Sequence, residues 1–400
     1  MIFGFTALQC YVAIVAIFCV VYLFTSRKNI WFPFVVITVL FSLLAYNLTP
    51  DPTDDLMTYY HHIDIFRNDG LDGVRYALEQ NWFEWRTYKV SLFYFYLMSR
   101  FPNNHYLSAI TILIVYSLGF YVLYKASKKF EISKFGLFLA SIFFISTYWY
   151  YDTASGIRNG LAFAVAFACA YQQLVEKKQA VLCIIGYILA IFMHSSGIVP
   201  VALVVLSIIT RKMNGKFLNV MLIFGLVASG ALIEYLSNVT NSSFIQSLAQ
   251  KAEAHVEDAA IVGNTRFYVN LTVLLVIVFL LAYFGNYISK CSFSHDLKFM
   301  YKFMSIVTFF CIGSIFSHLL FIRFARWILP LIGALVFMIG SKAQKEVEER
   351  RITTELQNGV FAQSSILLKI RPVVYILFVV YTAVSFWYSL NGSSLVWLHF

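Results

Sequence analysis

Charge is what this chain has least of. Only 12% of its 400 residues are Asp, Glu, Lys or Arg, where a soluble domain carries about a quarter, while 60% are hydrophobic. Apolar runs near the length of a bilayer crossing recur from end to end, which excludes an ordinary soluble domain. The runs are continuous and do not alternate, which argues against a β-barrel. The six cysteines (Cys10, Cys19, Cys169, Cys183, Cys291, Cys311) form no CxxC pair, and five lie inside predicted spans. Neither a disulfide framework nor a zinc site is indicated. No Gly-x-x-x-x-Gly-Lys run occurs, no Gly-x-Gly-x-x-Gly follows a strand, and no cytoplasmic segment is large enough for a nucleotide domain. Any chemistry must therefore use a lipid-borne or extracytoplasmic substrate. No basic stretch precedes the first apolar run; its first charges, Arg27 and Lys28, follow it. That reads as an uncleaved first span with its N-terminus outside.

What is present is an all-α, polytopic membrane pattern of about 12 spans in a single integral membrane domain, 1–400. The expected spans are Phe5–Phe24, Ile30–Leu48, Tyr106–Tyr124, Phe135–Tyr150, Ile157–Leu174, Ala180–His194, Gly197–Thr210, Phe217–Tyr235, Phe267–Tyr287, Phe303–Leu320, Trp327–Gly340 and Val373–Leu390. The net charge of +10 is a topology signal and not a nucleic-acid signal, because Lys and Arg collect in short loops. Lys125, Lys128, Lys129 and Lys134, Arg211-Lys212, Lys290, Lys298 and Lys302, and the segment 341–369 are assigned inside. The segments 51–104 and 236–266 are assigned outside, with both termini. Val90–Met98 is too short to cross and is expected as a re-entrant or interfacial helix.

The stretch Tyr148–Pro200 concentrates the chemistry. A hairpin of two apolar helices turns at Glu176-Lys177-Lys178. It brings Arg158, at the start of the first helix, and His194, at the end of the second, to one membrane face. An arginine there either grips headgroups or stacks on Tyr148, Trp149 or Tyr150, or it clamps phosphate in two-point fashion. His194, before Ser195-Ser196-Gly197, is either a histidine bonded to a helix end, a general base, or a donor to a diphosphate. Gly156, Gly160, Ala164 and Ala168 recur every four residues as a packing ridge.

Arg323 and Arg326 lie three apart beside Trp327, expected at a turn between spans, with His318 one and a half turns earlier. They read as an interfacial anchor or as phosphate ligands, and Arg266 is a weaker member of the group. The cluster Asp51, Asp54, Asp55, Tyr59, Tyr60, His61, His62 and Asp64 is a solvated acidic loop, a sugar site or a metal site. Oxygen ligands alone do not establish a metal, and no metal or cofactor is expected.

Asp54/Asp55 to Tyr59/Tyr60, Ile157-Arg-Asn-Gly-Leu-Ala162 and Leu189-Ala-x-x-x-His-Ser-Ser196 together resemble the EpsG-type, Wzy-like family of bacterial exopolysaccharide and O-antigen polymerases. The family more often has Gln where Asn159 stands. The resemblance implies a GT-C-like membrane glycosyltransferase with outer-face loops. Its substrates would be undecaprenyl-diphosphate-linked oligosaccharides, and it would move a growing glycan onto a sugar hydroxyl of the next lipid-linked unit. On that reading His194, Arg158 and Asp55 are the catalytic candidates. Arg323, Arg326, His318, Arg266, Asp54, Tyr59 and Tyr60 are the substrate-binding ones. Membrane lipid, a chain-length regulator and a flippase are expected partners, and nucleic acid is not. A flippase of lipid-linked oligosaccharide, or an O-antigen ligase, remains the alternative class.

Overall fold

The computed structural model describes residues 6–50, 54–211, 265–290, 295–315, 318–358 and 366–391. They are helical, with no strand among the described residues. The expected span Phe217–Tyr235, nearly all of the segment 236–266, Asp51 and both chain ends lie outside them. The chain divides into two compact units: Met1–Val122, Trp149–Ala202 and Ser389–Phe400 form unit 1; Leu123–Tyr148 and Leu203–Tyr388 form unit 2. Each is described by itself.

In unit 1, α1 (Ala7–Phe24) starts at a Thr6/Gln9 capping box, which satisfies two otherwise orphaned amides. It packs on α2 (Phe32–Tyr46) through rings: Tyr11 stacks on Phe41 at 5.2 Å, and Phe18 and Phe34 stack on Phe120 at 6.3 and 4.9 Å. Aromatic pairs of this kind contribute about 0.5–1.5 kcal/mol each beyond the area they bury.

The segment after α2 folds as α3 (Asp55–Glu79), a turn at Trp82–Glu84, and α4 (Lys89–Met98). Asp54 caps α3 by accepting the Leu56 amide. The spacing of Leu56, Tyr59, Tyr60, Ile63 and Phe66 gives α3 one buried face. Gly70, at φ 59, breaks the helix, and this left-handed position is one that glycine adopts without penalty. The ten residues of α4 span about 15 Å, half the thickness of a bilayer core. Its buried Ser91, Leu92 and Phe95 lie on the opposite side from exposed Phe93.

Then α5 (His105–Lys129) leads off. Later in the chain α7 (Tyr150–Ser155) bends at Gly156 into α8 (Ile157–Tyr171). A π-helical turn and two left-handed residues, Lys177 and Gln179, reverse the chain into α9 (Ala180–Met193). The hairpin forms as the sequence predicts. Its tightest point is Gly186, where a Cβ would lie 2.3 Å from the Cys169 sulfur. Of the predicted small-residue ridge, Gly160 and Ala168 are buried and Gly156 and Ala164 half-buried.

Unit 2 is built around α13 (His318–Asn358), packed by α6 (Lys134–Thr147), α11 (Thr265–Lys290) and α12 (His295–Ser314). Every residue of α13 from Trp327 to Gly340 is buried, as an all-apolar helix requires. Gly333 admits Phe143, Gly340 admits Phe284, and Phe337 stacks on Phe378 of α14 (Ile366–Asn391) at 3.8 Å.

Two expectations change here. The turn between spans lies after Ser314 and not at Arg323/Arg326, which sit in the early turns of α13. The polar stretch expected as a loop from Ser341 continues α13 as far as Asn358. Lys345–Glu349 and Arg350–Glu346 pairs support it, each worth a few tenths of a kcal/mol (about 0.2–0.5). Helices fray where polarity rises only if nothing pairs along the face, and here charges pair at i, i+4.

Among the described residues, five helices are long and apolar enough to cross a membrane: Ala7–Phe24, His105–Lys129, Arg266–Ser289, Asp296–Ser314 and Phe321–Thr353. Six more apolar helices, Ala180–Met193 among them, have 10–17 residues. The segments assigned inside meet in unit 2. Lys129 pairs with Asp296 at 3.7 Å, Lys342 pairs with Glu131 at 3.5 Å, Lys302 donates to the Thr210 carbonyl, and Arg211 lies over Phe299. Lys and Arg outnumber the carboxylates there, the pattern from which the inside assignment is expected.

This clustering predicts that an Asp72→Cys variant reacts with an impermeant maleimide in intact cells, whereas Glu349→Cys reacts only after permeabilisation. Both side chains are largely exposed, so access is decided by the membrane. Labelling of Glu349→Cys in intact cells would reverse the orientation.

Candidate functional site

The starts of α3 and α8 and the end of α9 converge in unit 1. Asp54 uses one carboxylate oxygen to cap α3 and the other to accept the Tyr151 hydroxyl, tying α3 to α7. Asp55, in the first turn of α3, is exposed. Tyr59 is buried with its ring edge-on to Phe83 and Phe95, both at 5.0 Å. Burial raises the Tyr59 hydroxyl above its usual range, opposed by the Arg158 charge and hydrogen bond and reinforced by Asp55 and Asp54. Tyr60 is buried too, its ring against His105 and its carbonyl accepting from Asn104. Both tyrosines therefore build the wall of the site more than its mouth.

Arg158 is half-buried. Its guanidinium lies 4.9 Å over the Phe83 ring and donates to the Phe83 carbonyl at 3.0 Å, while Nε is buried with no partner. No ion pair among the described residues neutralises it. Its aromatic partners are Phe83 and Tyr59, not the expected Tyr148, Trp149 or Tyr150. That carbonyl is delivered by an unusual turn: Asn81, Phe83 and Glu84 have φ of 51, 48 and 58°. Left-handed conformations at Phe83 and Glu84 cost on the order of 1 kcal/mol each. A hydrogen bond to a charged group returns about 1.5–3 kcal/mol, so this contact is large enough to hold the turn.

His194 ends α9. Its Nδ1 lies 2.8 Å from the Ser196 hydroxyl and 3.2 Å from the Ser196 amide, and Ser196 Oγ lies 2.5 Å from Asn159 Oδ1. The ring stacks on Tyr88 at 6.0 Å. Gly197 is sterically required, because a Cβ there would lie 2.3 Å from the Ala190 carbonyl oxygen. The hairpin thus joins the Arg158 end of α8 to the His194 end of α9 through Asn159, the residue after Arg158.

The second predicted group belongs to unit 2. Arg326 is half-buried over the Trp327 indole at 5.3 Å, and that indole meets Tyr148 edge-on at 5.6 Å. Arg323 is exposed, and Arg266 is half-buried at the start of α11 beside Phe267, whose ring packs on Phe321. His318 opens α13.

Beside the Arg158 site, the segment from α3 to the start of α5 carries its own network. Arg67 bridges Asp64 and Asn104 at 2.5 and 2.6 Å. His62 stacks on Trp82 at 4.3 Å. Among the described residues no group of three His, Cys, Asp or Glu could hold a metal. Sequence reasoning missed Phe83, Tyr88, Tyr151 and Ser196 as site residues. A main-chain carbonyl leaves no mark in the sequence, whereas Ser196 stands in the His194-Ser-Ser-Gly run.

A helical, membrane-embedded protein with an arginine that forms no ion pair among the described residues is the class these observations define. The chain matches the EpsG family over residues 30–354, and it belongs to that family. Membership carries a polysaccharide-polymerase type of role in general terms. No curated protein matches the chain, and no solved structure does.

Burial, with a smaller effect from His61, lowers the His62 imidazole from its usual 6.5 to about 4. The unfolded chain binds that proton near 6.5 and the folded chain only near 4, so stability falls as pH drops through this window. His62→Phe should keep the stack on Trp82 and remove this part of the acid sensitivity. Thermal midpoints measured from pH 7 to 4.5 should fall more steeply for the wild type; parallel curves would count against it.

Proposed function

We propose that the protein polymerises a bacterial surface polysaccharide at the extracytoplasmic face of the cytoplasmic membrane. It transfers the growing glycan from undecaprenyl diphosphate to a sugar hydroxyl of the next lipid-linked unit. The observation that carries this reading is Arg158: half-buried, in no ion pair among the described residues, with an unused Nε, and joined through Asn159 and Ser196 to His194. As the bond from sugar C1 to the carrier oxygen breaks, negative charge grows on the diphosphate. A positioned guanidinium binds that charge more strongly in the transition state than in the ground state. Exchange of the Phe83 carbonyl for a phosphate oxygen would give Arg158 a charged partner in place of a neutral one. His194 stands for the group beside the acceptor hydroxyl, and exposed Asp55 is the other candidate for the base.

In unit 2 the same chemistry is proposed for Arg326, with Arg323, Arg266 and His318 as further phosphate contacts. Neither reading needs a nucleotide sugar or a metal. A flippase and a chain-length regulator would act on the same lipid-linked pool.

The test is extension of a defined lipid-linked repeat by purified protein without nucleotide. Lysine keeps the charge of Arg158 and loses its planar two-point grip. Arg158→Lys should lower the rate about 10²–10³-fold at normal protein levels, the cost of removing one preorganised donor. A strict requirement for a nucleotide sugar, or full activity of Arg158→Lys, would sink the reading.

A further inference from the structure

We propose that Tyr76 and Trp82 form a glycan-binding corner beside Arg158, taking a pyranose ring of the lipid-linked sugar chain. Trp82 packs a ring face on His62, at 4.3 Å and 15° from parallel. Tyr76 stands at 89° to the indole, 5.2 Å away. After both contacts Trp82 is still only half-buried, and Tyr76 is 49% exposed. A pyranose suits such a surface, because its axial C–H bonds are weakly positive and the face of an aromatic ring is negative.

The corner is built into the chain. Arg86 donates Nε to the Leu78 carbonyl at 2.7 Å and a terminal nitrogen to the Glu79 carbonyl at 2.8 Å, closing the end of α3. The Arg86 amide donates to the Asn81 side chain at 3.3 Å. Between these bonds Asn81, Phe83 and Glu84 are held left-handed, a strain that persists where surrounding contacts impose it and that clusters at ligand sites. The same turn carries Trp82 and, one residue on, sends the Phe83 carbonyl to Arg158. Adjacent residues thus position the corner and the cation.

Two features favour a sugar over the hydrocarbon or phosphate of a membrane lipid. His62 Nδ1 and Trp85 Nε1 are buried without a partner, in rings that meet at 5.2 Å. A hydrocarbon chain would leave both unpaired, whereas a sugar brings hydroxyls with its apolar face. Asp72, Tyr76 and Glu79 follow at i, i+4 and i+7, along one face of the helix after Gly70. Both carboxylates are exposed, where they accept from hydroxyls and repel phosphate.

The role in chain transfer rests on the polymerase reading; glycan binding does not. With the diphosphate on Arg158, the corner grips a sugar of the same carrier away from the reacting bond. Such a contact is made equally in ground state and transition state, so it sets KM and leaves kcat.

Binding is tested without turnover. The probe is the free oligosaccharide released by mild acid from the defined lipid-linked repeat, added to full-length protein in lipid nanodiscs. Saturation-transfer NMR should show transfer to its ring C–H protons. Trp82→Leu keeps an apolar side chain for a membrane surface but lacks the flat face, and should weaken Kd about tenfold. Trp82→Tyr should recover much of that loss, and Tyr76→Leu should lose less. No transfer in the wild type, or equal transfer in Trp82→Leu, would overturn the corner and leave Trp82 as an interfacial anchor.

Extension of the lipid-linked repeat separates the corner from the functional reading. Trp82→Leu should raise KM about tenfold with kcat within about twofold. A fall in kcat at unchanged KM would mean that Trp82 merely supports the Phe83 turn, and would overturn the proposal. Absence of extension by the wild type, with probe binding lost in Trp82→Leu, would instead refute the polymerase reading and leave the glycan site.

Discussion

The placement of Arg158 and His194 in unit 1 depends on how α9 and its exit pack. That packing is set at two glycines. At Gly186 the helices meet where a Cβ would overlap the Cys169 sulfur, and at Gly197 the chain turns where a Cβ would overlap the Ala190 carbonyl. A methyl group at Gly186 would displace the Cys169 side chain or α9, and one at Gly197 would displace the exit of α9. The Ser196–Asn159 contact, at 2.5 Å, would not survive such a shift. Close packing through small residues is how helices associate where lipid offers no hydrophobic drive. Here it also determines where a histidine and an arginine lie.

The second constraint is the arginine itself. A guanidinium at a membrane helix end needs solvation from water, lipid or protein. In this chain the protein supplies a neutral carbonyl and two ring faces, which hold the cation without cancelling its charge. The left-handed turn at Phe83 and Glu84 is the cost of bringing that carbonyl to it. A carboxylate in the same place would have been a stronger partner and would have removed the affinity for an anion. Asp54, at the start of α3, is instead engaged by the Leu56 amide and the Tyr151 hydroxyl.

Local signals carried much of this organisation. The hairpin was legible because Glu176-Lys177-Lys178 interrupts two apolar runs, and a ten-residue apolar stretch, α4, is too short to cross whatever surrounds it. Arg158 and His194 stood out because polar groups are costly in such runs. The turn expected at Arg323 and Arg326 was misplaced for the same kind of reason. Charges in an apolar run suggest a helix end, but Arg326 spreads over Trp327 while the helix continues beneath it. The polarity after Ser341 suggests a loop, yet paired charges four residues apart sustain the helix there.

By itself the sequence determined the class of fold, the family, and which few polar residues sit at apolar helix ends. Hydropathy and charge act over neighbouring residues, so a one-dimensional reading suffices for them. Tertiary structure alone decided that Phe83 meets Arg158, that Tyr151 meets Asp54, and that Asn159 reaches His194 through Ser196. The Phe83–Arg158, Tyr151–Asp54 and Asn159–Ser196 contacts join residues 37 to 97 positions apart, and one of them uses a main-chain oxygen that every residue possesses. Nothing in residue type or spacing encodes such pairings; they follow from packing distances that only the folded chain sets.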